Sequence, residues 1–193
     1  MLDRIINYFI NDLQKYNNYN EIQVEQMKYC IKVITYEFVK LVSVLLIFFL
    51  LGFFKECFLI IIFMISTKPF TGGYHENTQI KCFIATVIII SSIILISRNS
   101  NLDFISCIIL NLISIFCIYN QIPIINEKMP LTKQKLIKRN RVIGIINTLI
   151  FLFLSIIMFK MKWVSQTIVW TSIVQVMLLF NKYKKRRIIQ NEA

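Results

Sequence analysis

The chain contains a single histidine, His75, and it stands seven residues before a cysteine, Cys82. Histidine beside cysteine is a nucleophilic pair: the imidazole removes the thiol proton, and the resulting thiolate attacks an electrophilic carbon. Lys68 and Lys81 flank the pair and favour negative charge on sulfur wherever they lie close to it. Seven residues make two helical turns, which puts both side chains on one helix face but about 10.5 Å apart along the axis. A proton does not pass directly over that distance, because transfer needs a hydrogen bond of about 3 Å. A working dyad therefore requires a non-helical link or a pairing between subunits. A lone interfacial histidine and a buried structural cysteine would account for the same residues, and spacing alone does not choose.

The segment around the pair favours such a link. Lys68-Pro-Phe-Thr-Gly-Gly-Tyr-His-Glu-Asn-Thr-Gln-Ile-Lys-Cys82 holds Pro69 and the adjacent glycines Gly72 and Gly73. Glycine pairs break helices and permit positive φ, so irregular backbone is expected near Thr71–Tyr74. Irregular backbone at membrane depth must be buried in protein or line a wet cavity. Polar residues clustered there are functional candidates.

Other chemistry finds little support. The remaining cysteines (Cys30, Cys57, Cys107 and Cys117) form no C-x-x-C spacing, and the total of five is odd. Neither a disulfide framework nor a structural zinc site is indicated, and one histidine cannot build a multi-histidine metal site. No metal and no cofactor is expected. The N-terminus lacks the basic, apolar and small-residue order of a signal peptide.

The elements that must position the pair are membrane helices. Apolar residues make up 56% of the chain and lie in long runs, which excludes soluble enzymes and secreted disulfide modules. The runs read as six spans, near 36–54, 57–67, 83–97, 102–119, 142–159 and 163–180, in one polytopic domain covering residues 1–193. The second is too short: eleven uncharged residues reach only about 16 Å as a helix. It reads as a tilted or re-entrant element, with Lys55 and Glu56 at its turn. The rival reading fuses the first two runs into one long helix. Before the spans, Leu2, Ile5, Ile6, Phe9, Ile10 and Leu13 line one face, so residues 1–16 read as an amphipathic interfacial helix. Ser91, Ser92, Asn111, Ser114, Gln166 and Gln175 are expected to make hydrogen bonds between helices. Such residues permit a homodimer without requiring one.

Charge orients the arrangement. The formal net charge is +12, yet the basic residues sit between apolar runs, a topology pattern rather than a nucleic-acid one. With six spans and both termini cytoplasmic, 18 of the 22 Lys and Arg fall inside, leaving Lys55, Arg98, Lys160 and Lys162 outside. Residues 68–82 then form a cytoplasmic loop, 120–141 a basic cytoplasmic loop, and 181–193 a basic tail.

At Thr71-Gly-Gly-Tyr-His75 followed by Cys82, the chain resembles the accessory gene regulator protein B family, bacterial membrane cysteine endopeptidases of peptide quorum sensing. Asn126-Glu-Lys-Met-Pro-Leu-Thr132 and the basic run to Arg141 resemble that family's proline-containing loop between spans four and five. The resemblance implies that Cys82 is the nucleophile and His75 the general base. Gly73 falls at the family's glycine, with Gly72 beside it. Lys68 stands where the family usually has arginine; lysine keeps the charge but lacks the planar bidentate fork.

The resemblance also implies a bacterial cell-membrane location and a substrate. Family members cleave a small precursor peptide that has an amphipathic N-terminal helix and an acidic C-terminal region. The acyl-enzyme is a thioester, which an internal cysteine or serine of the peptide resolves into a thiolactone or lactone ring. Lys128, Lys133, Lys135, Lys138, Arg139 and Arg141 are candidates for docking the acidic region, although such clusters also fix topology and bind anionic lipid. The competing readings are a non-enzymatic peptide transporter and a membrane scaffold. Intramembrane charge is sparse, which gives a transporter no evident ion relay.

Overall fold

The computed structural model describes residues 20–72, 78–123 and 134–180. The amphipathic stretch 1–16, the residues Gly73 and His75, and the tail 181–193 lie outside the described residues. Six α-helices carry the rest: α1 (Glu21–Leu50), α2 (Phe54–Thr71), α3 (Gln79–Asn99), α4 (Phe104–Gln121), α5 (Gln134–Ile157) and α6 (Lys162–Phe180). A single 3-10 turn, Met158–Lys160, joins α5 to α6. Among the described residues, all of these except α2 are long and apolar enough to cross a membrane. The protein is thus an all-α, multi-span membrane protein whose second helix is the exception.

Several helices run past the apolar stretches from which they are read. α1 starts at Glu21, 15 residues before the apolar run, because helical hydrogen bonding does not stop where charged residues begin. Its start is capped by Gln23, whose Oε1 accepts from the Asn20 backbone N–H at 3.0 Å. Lys40 and Glu37 form an ion pair one turn apart at 2.5 Å. The chain divides into two compact units, residues 1–47 and 48–193.

The second unit opens with the break between α1 and α2. Gly52 has φ +78°, its N–H donates to Phe49 at 3.1 Å, and the Phe53 N–H donates to Phe48 at 2.8 Å. This pair of bonds around a left-handed glycine is a Schellman motif, which ends α1. The first two apolar runs are therefore separate helices, and the turn lies at residues 51–53 rather than at Lys55 and Glu56. α2 has 18 residues, about 27 Å at 1.5 Å per residue.

α6 is the hub of the second unit and packs against α2, α3, α4 and α5. It buries Ser165, Gln166, Thr167, Thr171, Ser172 and Gln175 beside Ile168, Val169 and Leu179. Lipid chains are as apolar as leucine, so helix association in a membrane rests on close packing and interhelical hydrogen bonds. Small hydroxyl residues serve both. Ser114 and Ser172 lie 3.1 Å apart across α4 and α6, and Asn111 Nδ2 donates to Ser155 on α5 at 2.9 Å. Ser92 does otherwise: it is partly exposed and its hydroxyl donates to the Ile88 carbonyl of its own helix. Apolar contacts fill the remainder, with Phe63 and Phe151 ring centroids 4.7 Å apart between α2 and α5.

Candidate functional site

Those candidate residues that lie among the described ones stand at the end of α2, at the start of α3 and at the start of α5. Lys68–Thr71 form the last turn of α2 and Gln79–Cys82 the first turn of α3, so both ends of the segment 68–82 are helical. α2 continues through Pro69, which stands in its last turn, two residues before Thr71. It stops one residue after Thr71, where Gly72 takes φ +76° and donates its N–H to the Lys68 carbonyl at 2.9 Å. A side chain at that φ would be strained, which accounts for glycine there.

α3 restarts at Thr78. This residue is extended (φ −120°, ψ 149°), and its hydroxyl accepts from the Lys81 backbone N–H at 3.4 Å, a side-chain N-cap. The Cys82 N–H donates to the Thr78 carbonyl at 3.0 Å and opens the α-helical ladder. Cys82 is thus fixed in the first turn of a 21-residue helix, at the positive end of its dipole, and is partly buried. Lys81 is exposed beside it. The chain from Lys68 to Cys82 is not one continuous helix, since Gly72 ends α2 and Thr78 caps α3.

A buried polar clamp holds the end of α2. Gln175 of α6 donates from Nε2 to Thr71 Oγ1 at 3.1 Å, and Thr67 Oγ1 lies 2.9 Å from Gln175 Oε1. Both threonine hydroxyls also reach carbonyls one turn back, Thr67 to Phe63 at 2.7 Å and Thr71 to Thr67 at 3.1 Å. All three side chains are buried. From α5, Asn147 Nδ2 donates to the Ser66 carbonyl at 2.6 Å. A Cβ at Gly144 of α5 would come 3.0 Å from Thr71 Cγ2 and 3.3 Å from Ile122 Cδ1. Glycine there lets the two helices approach at the level of Thr71.

That close approach also locates the basic start of α5. Lys135 lies nine residues before Gly144, so this helix extends about 14 Å beyond the level of Thr71. Lys135, Lys138, Arg139 and Arg141 are exposed along this extension. Arg141 already has a structural engagement: Nη2 donates to the Tyr119 carbonyl at 3.0 Å, near the end of α4, and its guanidinium lies 5.1 Å from the Tyr119 ring centroid. Lys128 and Lys133 fall outside the described residues.

The remaining chemistry is sparse. Cys57 and Cys107 are buried in the helix packing, and Cys107 Sγ lies 3.9 Å from Ser165 Oγ. Among the described residues, no three His, Cys, Asp or Glu side chains converge to hold a metal ion. Thr67, Gly144 and Asn147 carry only one sequence signal, a polar or small residue within or beside an apolar run. Among the clamp residues only Gln175 carries the expectation of an interhelical bond.

The family model for accessory gene regulator B matches residues 2–179. AgrB-like protein 1 of Clostridium perfringens (strain 13 / Type A) is 47% identical over 184 residues, covering 95% of this chain and 96% of that protein. The accessory gene regulator protein B of Staphylococcus aureus strains bovine RF122 / ET3-1 and Newman is 26% identical over 155 residues, covering 80% of this chain and 82% of theirs. No solved structure matches. With the family's model matching nearly its full length, the chain belongs to the accessory gene regulator B family.

Proposed function

We propose that this chain is a membrane cysteine endopeptidase that cleaves a small quorum-sensing precursor peptide on the cytoplasmic side. The observation that carries the reading is the interrupted junction between α2 and α3. Gly72 ends one helix and Thr78 caps the next, so residues 73–77, with His75 among them, join two anchored ends just before Cys82. Five residues between fixed ends are a short tether, which favours a local His75–Cys82 pair over a chance neighbour.

In this reading His75 takes the Cys82 thiol proton as sulfur attacks the backbone carbonyl before the acidic region of the precursor. The tetrahedral intermediate collapses, the C–N bond breaks, and His75 returns the proton to the departing amine. The acidic fragment leaves, and the rest of the peptide stays on Cys82 as a thioester. An internal thiol or hydroxyl of the peptide then attacks that carbonyl, closing a thiolactone or lactone and releasing the Cys82 sulfur, which regains a proton. Water competes at this step. Phe70 and Phe83 flank the junction in sequence, an apolar rim suited to slowing hydrolysis.

Lys68, with Gly72 and Gly73, serves to position the substrate next to the pair. The basic start of α5 offers Lys135, Lys138 and Arg139 to the acidic region of the peptide, with Lys128 and Lys133 preceding them in sequence. The test is co-expression with a candidate precursor. Wild type is expected to release the acidic fragment and leave a thioester on Cys82, while Cys82→Ser and His75→Ala are expected to release none. Normal cleavage by both variants would sink the assignment.

A further inference from the structure

A second site lies at the other end of the bundle. From Cys82 to Arg98, α3 rises about 24 Å. There Arg98 and Lys162 line a polar cavity of about 380 Å³ together with Glu56, Asn101, Trp163 and Gln166. Next to it lies an apolar cavity of about 520 Å³, lined by Phe48, Leu51, Phe53, Ser91, Ile94 and Leu95. The two share Arg98 and Asn99.

Arg98 joins the two lobes physically. Its Nε lies 3.5 Å from Glu56 Oε1, in the polar lobe, and its guanidinium lies 4.8 Å from the centre of the Phe53 ring, in the apolar lobe. Glu56 has only 11% of its side chain exposed, whereas Arg98 keeps 56%. One carboxylate therefore faces two cations, and the polar lobe carries a net charge of one positive unit. Lys162 Nζ is held at the rim by Asn101 Oδ1 at 3.1 Å. The neighbouring wall is fixed by Trp170, whose Nε1 donates to Ser100 Oγ at 2.8 Å.

The apolar lobe runs inward along α3. Ser91 lies seven residues before Arg98, about 10 Å deeper along the helix. Leu51 and Leu95 are more than half exposed at this lobe, so it opens sideways where hydrocarbon lies in a membrane. The polar lobe sits at the ends of crossing helices, the depth of the lipid headgroups, beside the interface-type residue Trp163. Both volumes fall in the range of small-molecule sites, roughly 300–1,000 Å³.

We propose that this bipartite cleft binds one anionic phospholipid, with the headgroup phosphate on Arg98 and Lys162 and an acyl chain in the lobe lined by Phe53, Ser91 and Leu95. Charge and shape both select this occupant. The positive lobe meets the membrane at phosphate depth, the apolar lobe continues from it toward the hydrocarbon, and a guanidinium suits a phosphate oxygen pair. An acidic peptide would find charge here but would leave the apolar lobe open to lipid.

The test is native mass spectrometry of the full chain in detergent, titrated with dioleoylphosphatidylglycerol, glycerol 3-phosphate or dioleoylglycerol. One dioleoylphosphatidylglycerol per chain is expected to be retained. Glycerol 3-phosphate and dioleoylglycerol are each expected to bind at least about tenfold more weakly. Lys162→Gln keeps an amide toward Asn101 but removes the charge, and Ser91→Phe or Leu95→Trp fills the apolar lobe from its rim. Each is expected to weaken retention about tenfold while leaving the melting temperature in detergent near wild type. Equal retention across wild type and these variants would mean general annular lipid and overturn the proposal. So would glycerol 3-phosphate binding as tightly as the lipid, or an acidic peptide displacing it at lower concentration.

Discussion

Gln175 of α6 and Thr71 of α2 are hydrogen-bonded at 3.1 Å between buried side chains that stand 104 residues apart in the chain. Thr71 is the last helical residue before Gly72 and the junction that leads to Cys82, so α6 fixes one end of that junction. In the proposed mechanism the clamp acts on position and leaves the chemistry to Cys82 and His75. This separation of roles makes it testable.

Gln175→Leu replaces the clamp with a side chain of similar volume that cannot bond either threonine. The Thr67 and Thr71 hydroxyls retain backbone carbonyls, so the stability cost is expected to stay near 1 kcal/mol. Precursor cleavage is expected to fall much further, by about tenfold or more, because misplacement of a catalytic group is costly. Thermal unfolding in detergent, measured beside single-turnover cleavage, separates the two effects. A loss of stability with unchanged cleavage would show the clamp to be purely structural.

Gly144→Ala introduces a methyl group 3.0 Å from Thr71 Cγ2, a contact tight enough that the Thr71 side chain must give by a few tenths of an ångström. Overpacking of this kind costs about 1–3 kcal/mol. Thr71→Ser removes the opposing methyl and keeps the hydroxyl on Gln175. The double variant is therefore expected to recover most of the lost stability and cleavage. A double-mutant cycle with no coupling between the two positions would show that the approach of α5 to α2 is not controlled there.

Arg141 and its basic neighbours should separate in their effects. Arg141→Ala removes both the bond to the Tyr119 carbonyl and the ring contact, so its expected effect is on stability, about 1 kcal/mol, with little dependence on salt. The combined Lys135→Gln, Lys138→Gln and Arg139→Gln variant is expected to raise KM for an acidic precursor severalfold at low salt and to flatten its dependence on ionic strength. KM titrations at two salt concentrations check this. A KM unchanged by the triple variant would exclude the start of α5 as a docking surface.

The cysteines differ in access. Cys57 and Cys107 have 0% and 1% of their surface exposed, whereas Cys82 is partly open in the first turn of α3. A thiol-directed reagent is expected to modify Cys82 well before those two and to abolish cleavage in step with that modification. Peptide mapping after timed labelling reads the order. A variant that keeps Cys82 and replaces the other four cysteines with alanine is expected to remain active. Loss of activity in that variant without unfolding would point to a second required thiol.

The sequence by itself determined the local features. Hydropathy located the helices that cross a membrane, since each run reports its own transfer energy to lipid. The Gly72–Gly73 pair marked where α2 must stop, and Gly72 does take the left-handed conformation that glycine permits. Helix ends were less legible: α1 starts at Glu21 and α5 at Gln134, because backbone hydrogen bonding continues through charged residues beyond the hydrocarbon.

Only the tertiary structure decided partners. Gln175 could be read as an interhelical donor, yet nothing local named Thr71 as its acceptor. Gly144 in α5 looked like any small residue until Thr71 and Ile122 were set against it. Arg98 read as a rare basic residue outside, and only packing placed it between Glu56 and Phe53. The reason is physical. Hydropathy and glycine conformation act within one turn of chain, whereas a buried hydrogen bond or close helix contact depends on which faces of distant helices meet.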